Sequence, residues 1–226
     1  MRLWLKFSRR NSLSFISHLD AHRAYYRLFR RAGLPLAFSQ GFNPHPILSL
    51  ASPLPLGFIS HADYLDVEFS RSMPADEVSE RIQGVAGSDA LALLGVAAIE
   101  GRVRALAGML SFARYNIQVS KSDLSLHDAC SAFMRAPVVP FLKETKSRVL
   151  ELDAKALVRD MTCESDGMDA VLSLGENRVF RPDELLKVLG GLAGCELAAR
   201  SIVREELYIG DSTLHTPLDW AKLERG

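Results

Sequence analysis

Cysteine is scarce in this 226-residue chain: Cys130, Cys163 and Cys195 stand alone, each more than thirty positions from the next. No CxxC pair and no CxxxCxxC run occurs, which excludes a compact thiolate set for an iron–sulfur cluster. The odd count argues against a disulfide framework, so a reduced, cytoplasmic setting is expected. Long apolar runs are missing as well. No stretch approaches the roughly 20 residues of a membrane-spanning helix, and no membrane partner is expected. The opening MRLWLKFSRR alternates apolar and polar residues, lacks the apolar core of a signal peptide, and is expected to begin the fold as a strand. HExxH and calcium-loop spacings are absent too, and no cofactor is expected.

Acids are nearly absent from the front of the chain. Residues 1–60 hold eight cations, Arg2, Lys6, Arg9, Arg10, Arg23, Arg27, Arg30 and Arg31, against Asp20 alone. That is a balance of +7 in a chain whose net charge is zero. A one-signed segment of this kind points to an anionic partner. Seven of the eight cations are arginine, whose planar fork matches phosphate oxygens, so RNA is the first class to consider.

Periodicity places the elements. Leu3, Leu5 and Phe7 share one face of a first strand. Ser17 followed by Asp20 is a variant capping box, so a helix is expected over HLDAHRAYYRLFRRA, stopped by Gly33 and Pro35. Strands are expected at 47–51 and 63–70, a helix at 74–85 and a strand at 90–99. The order is β-α-β-β-α-β. A fainter version follows: a strand at 112–119, a helix at 124–134, strands within 147–156 and 168–180, a helix at 182–192 and a strand at 197–209. The expected class is α+β, with two ferredoxin-like domains in tandem at 1–100 and 110–209, joined near 101–109 and followed by a tail at 210–226. Asp160, Glu164, Asp166 and Asp169 read as a solvated hairpin.

Three constellations can carry chemistry. Arg23, Arg27, Arg30 and Arg31 fall mostly on one side of the first helix, with Arg9 and Arg10 in the turn before it. They form either a solvated face or a phosphate contact. His18 and His22 are four apart on the same helix, a spacing that can present two imidazoles to a metal, with His45 or His61 as a third ligand. The simpler reading makes His18 a cap at the helix start and His22 a half-buried or exposed residue, with Asp20 a cap. The third is SQGFNPHP, residues 39–46, with its echo SPLPLGFISHADY. Gly41 permits positive φ, and Pro44 and Pro46 each remove a backbone donor, so this is a fixed loop. Ser39, Gln40 and Asn43 can cradle a phosphate or read a base, and His18 or His45 can act in metal-independent acid–base chemistry such as RNA cleavage.

SHLD, RLFRRA, SQGFNPHP, PLPLG and DYLD, in this order across residues 15–69, resemble the radical-SAM-linked protein family, a domain of unknown function. The motif positions are Ser17, His18, Leu19, Asp20, Ser39, Gln40, Gly41, Phe42, Asn43, Pro44, His45 and Pro46. The chain departs from the family pattern at Ile47, where lysine is common, and at Asp63, where glutamate is common. The resemblance implies a radical SAM protein as partner; lacking CxxxCxxC, this chain is its companion and not that enzyme. The expectation is a non-catalytic accessory module that binds RNA, another anionic substrate or the partner enzyme. The alternative is a metal-independent ribonuclease or other RNA-processing enzyme using His18 or His45, on tandem domains similar to those of CRISPR RNA-processing proteins.

Overall fold

Trp4 stands between Leu3 and Leu5, and all three are fully buried. The first strand, β1 (Arg2–Arg9), is therefore covered on both faces, not on one. The computed structural model describes residues 1–85, 90–120, 126–144, 149–175 and 178–224. After β1 come α1 (His18–Arg31), β2 (Leu48–Leu50), β3 (Ile59–Glu68), α2 (Ala75–Gln83) and β4 (Leu91–Ile99). β1 pairs antiparallel with β3, Leu5 opposite Leu65, and with β4, Leu5 opposite Val96. β2 pairs antiparallel with the other edge of β3, Leu48 opposite Val67, so β3 lies between β1 and β2.

One face of these strands carries Leu3, Leu5, Phe7, Leu65 and Val67 against Tyr25, Leu28 and Phe29 of α1 and Val78 and Ile82 of α2. The buried positions of α1 recur at three and four, and place its arginines on the opposite, exposed side. Each fully buried leucine or phenylalanine contributes about 1.5–3 kcal/mol by leaving water.

The rest of the chain forms β5 (Leu110–Val119), α3 (Leu126–Arg135), β6 (Pro140–Glu144), β7 (Val149–Asp153), β8 (Val158–Cys163), β9 (Gly167–Ser173), α4 (Pro182–Ala193), β10 (Ala199–Ile209) and α5 (Pro217–Leu223). The protein is thus mixed α/β, with five α-helices among the described residues. It divides into two compact units, one of Met1–Leu110 with Glu206–Gly226, the other of Ser111–Glu205. Residues 206–226, expected as the end of a second domain and a tail, therefore group with the first unit. There Trp220 of α5 stacks on Trp4 at 5.4 Å, and Leu218 meets Gly95 of β4, where a Cβ would come within 2.6 Å of it. Glu206 pairs with Lys6 and accepts from the Tyr64 hydroxyl at 3.0 Å. Burial first, and the Glu206 charge next, raise the Tyr64 phenol far above its ordinary range.

In the second unit the strands run β10-β5-β9-β8. The strand expected within 147–156 is β7, and it pairs with β6 in a separate two-stranded hairpin. The partner of β9 is β8, within the segment read as acidic hairpin. Exposed Arg159, Asp160 and Thr162 hide it, while Val158, Met161 and Cys163 turn partly inward. The expected starts at Leu124 and Ser147 lie outside the described residues.

Cys130 of α3 and Cys163 of β8 are joined by a disulfide, leaving Cys195 free. This corrects the expectation of three separate thiols. A separation of 33 residues is no obstacle once β8 returns beside α3. No helix among the described residues is long and apolar enough to cross a membrane.

Candidate functional site

Ser17 caps α1 as its spacing predicts. Its hydroxyl accepts from the Asp20 amide at 3.1 Å and donates to the Asp20 carboxylate at 2.8 Å. The Ser17 hydrogen bond, followed by that of Arg23 at 3.2 Å, holds the Asp20 carboxyl below its usual range. Of the four helix arginines, Arg23 is thus engaged with Asp20, and Arg30 lies over the Tyr26 ring at 5.9 Å. Arg10, Arg27 and Arg31 are exposed and make no ion pair among the described residues.

Arg9 does not belong to this surface. It is 3% exposed, and its Nε lies 2.9 Å from Asp63, which is 1% exposed. The buried Tyr25 hydroxyl donates to the same carboxylate at 3.1 Å. The strand register explains the meeting, since β1 and β3 place Phe7 opposite Asp63 and Arg9 opposite Ser60. An acid in a strand rich in apolar residues, across from an arginine on the neighbouring strand, is the signal in the sequence that marks this pair. A buried charge is tolerated only with a partner, so Arg9 and Asp63 require one another. Ser14 is buried with its carbonyl accepting from the Gly57 amide at 2.8 Å, which fastens the approach to α1 onto the 52–58 loop.

The 39–46 loop stands on a hydrogen-bonded stem. Ala37 and Ile47 pair with each other and with Glu68 of β3, through bonds of 2.8 to 2.9 Å. Phe38 faces Pro46 in an isolated bridge. The Ser39 amide donates to the His45 carbonyl at 2.8 Å, and the His45 amide donates to the Ser39 hydroxyl at 3.0 Å. Gly41 has φ +128°, open to glycine and costly for other residues. A Cβ at Gly41 would meet no neighbour within 4 Å among the described residues, so backbone conformation and not crowding calls for glycine there. Gln40, Gly41, Phe42, Asn43, Pro44 and His45 are all exposed, while Pro46 at the stem is half-buried.

An order of strand, helix and strand puts this loop and the first turn of α1 at opposite helix ends. The structure does otherwise. His22, in the second turn, is bonded through Nε2 to the Leu48 carbonyl at 3.0 Å. Because Leu48 is two residues past Pro46, the loop is rooted beside the N-terminal half of α1. His22 is thereby a tie between helix and strand. His18 and His45 are exposed and share no hydrogen bond among the described residues, whereas His61 lies half-buried in β3. No three His, Cys, Asp or Glu side chains among the described residues are placed to bind a metal.

What results is an exposed, cationic helix side with a stem-fixed polar loop rooted at its second turn, beside a buried arginine–aspartate–tyrosine group. Its groups can neutralise phosphates and offer amides and a ring to a ligand. No curated protein matches the sequence. Residues 2–182, which include every part of this site, match a family described as uncharacterized proteins conserved in bacteria (DUF2344), and the chain belongs to that family.

Proposed function

We propose that this chain is a non-catalytic binding module that holds an anionic substrate, RNA foremost, for a partner radical SAM enzyme. The observation that carries the reading is the exposed side of α1, where Arg27 and Arg31, with Arg10 before the helix, make no ion pair among the described residues. Exposed cations gathered on one side with Asp20 as their one nearby acid among the described residues, while Arg2, Lys6 and Arg9 are each paired with an acid elsewhere, suit a phosphate contact better than a solvated face. Ser39, Gln40, Asn43 and His45 contribute polar contacts from the neighbouring loop. The partner follows from the resemblance carried by residues 15–69.

The architecture we propose is a tandem of ferredoxin-like domains. It is supported in the first unit by β3 lying between β1 and β2, the two ends of a split βαβ. In the second unit the order β10-β5-β9-β8 repeats the relation, with β9 between β5 and β8 and the β6–β7 hairpin inserted after the first helix.

Fluorescence anisotropy of labelled RNA across a salt series tests the reading. Binding at low salt that weakens as salt rises is expected, with an Arg27→Glu, Arg31→Glu double variant at least about tenfold weaker. RNA recovered uncut on a denaturing gel agrees with binding alone, whereas cleavage lost in His18→Ala or His45→Ala assigns the ribonuclease role instead. No binding by the wild type at low salt overturns the reading.

A further inference from the structure

Phe42 is the most exposed large apolar side chain among the described residues, at 106% of its extended reference. A phenylalanine left wholly in water forgoes the stabilisation that burial of its ring would contribute. The backbone on either side holds it out. The stem beneath it is closed by the Phe38–Pro46 bridge and the reciprocal Ser39–His45 bonds. Gly41, immediately before it, takes a positive φ at the tip. Pro44 follows two residues later and restricts the chain on the other side.

The neighbours of Phe42 define what it can meet. Gln40 and Asn43 flank it on the tip, and both residues are exposed. Each amide offers a donor and an acceptor, the complement of a base edge. The loop root is tied by His22 to the helix that carries Arg23 and Arg27. A ring, two amides and a row of arginines form the set by which proteins hold unpaired nucleotides: cations track the backbone, the ring stacks on a base, and amides read its edge. A duplex offers no such contact. Its bases are already stacked, and the major groove of an A-form helix is too deep and narrow for a side chain to read.

We infer that the site selects single-stranded over double-stranded RNA, with the ring of Phe42 stacking on one unpaired base. This rests on the RNA reading above and extends it to a substrate class. The arginines supply affinity that any polyanion shares, whereas Phe42 supplies the discrimination.

The full chain is titrated by anisotropy with a labelled single-stranded RNA and with the same strand annealed to its complement, for wild type, Phe42→Ala and Phe42→Trp. The wild type binds the single strand more tightly than the duplex. Phe42→Ala loses affinity for the single strand on the order of ten- to a hundredfold and leaves duplex binding unchanged. Phe42→Trp retains single-strand binding, and its added indole emission is quenched by the single strand and not by the duplex. Equal wild-type affinity for both forms, or single-strand affinity untouched by Phe42→Ala, overturns the inference while the phosphate reading stands; in the second case Phe42 is left to a protein contact. Failure of the wild type to bind either RNA at low salt overturns the RNA reading itself, and this inference with it.

Discussion

Asp63 carries more of the fold than its place in the sequence suggests. It receives both the Arg9 guanidinium and the Tyr25 hydroxyl inside the first unit. Removing one member of a buried pair leaves the other charge without compensation, at about 3–5 kcal/mol. Asp63→Ala is therefore expected to lower the denaturation midpoint severely. The double variant Arg9→Met, Asp63→Leu is expected to recover much of the loss, because neither charge is then stranded. Chemical denaturation of wild type and the two variants checks this; equal stability of Asp63→Ala and wild type rejects the pair as a stabilising contact. Arg9 itself carries the same lesson, since its neighbour Arg10 makes it look like part of a surface patch. Burial separates the two, and burial depends on the strand across the sheet.

Local signals are most informative at the level of elements. Ser17 caps α1 where the Ser–Asp spacing places it, and Gly33 with φ +61° ends that helix region as expected. The SQGFNPHP loop is legible from its glycine and prolines alone. What the sequence does not disclose depends on distant partners. Tyr64 and Asp66 alternate with apolar residues and so promise a solvent-facing edge, yet both are buried. Tyr64 reaches Glu206, 142 residues away, and Asp66 binds Arg2 and the Leu106 amide. The exposed polar residues of β8 disguise a paired strand, and the same strand brings Cys163 to Cys130. That disulfide closes a loop of 33 residues, for which chain-entropy arguments give roughly 3–4 kcal/mol. A Cys163→Ser variant, or wild type in dithiothreitol, is expected to melt several degrees lower than oxidised wild type. A Tm indifferent to reductant shows that the bond adds nothing in solution.

Across the whole molecule, the charge asymmetry of the sequence is partly consumed by folding. Three of the eight cations in residues 1–60 are matched by acids from beyond residue 60: Arg2 by Asp66, Lys6 by Glu206 and Arg9 by Asp63. Five remain exposed at or before α1: Arg10, Arg27, Arg30 and Arg31, and Arg23, which a ligand would have to draw from its exposed pair with Asp20. Single-stranded RNA releases about 0.7 counterion per phosphate neutralised, so log affinity should fall against log salt with a slope no steeper than about −3.5. Replacing Arg27 with Gln should flatten that slope by about 0.7. A slope well beyond this limit brings in cations from elsewhere in the chain.

The first unit is built from two separate segments of the chain, with residues 111–205 between them in the sequence. Synthesis proceeds from the N-terminus and domains tend to fold as they emerge. The Trp4 face of β1 must then wait, uncovered, until Trp220 has left the ribosome. The intervening unit has the opportunity to fold first, and a nascent chain stalled within it would carry an open tryptophan face for chaperones to hold.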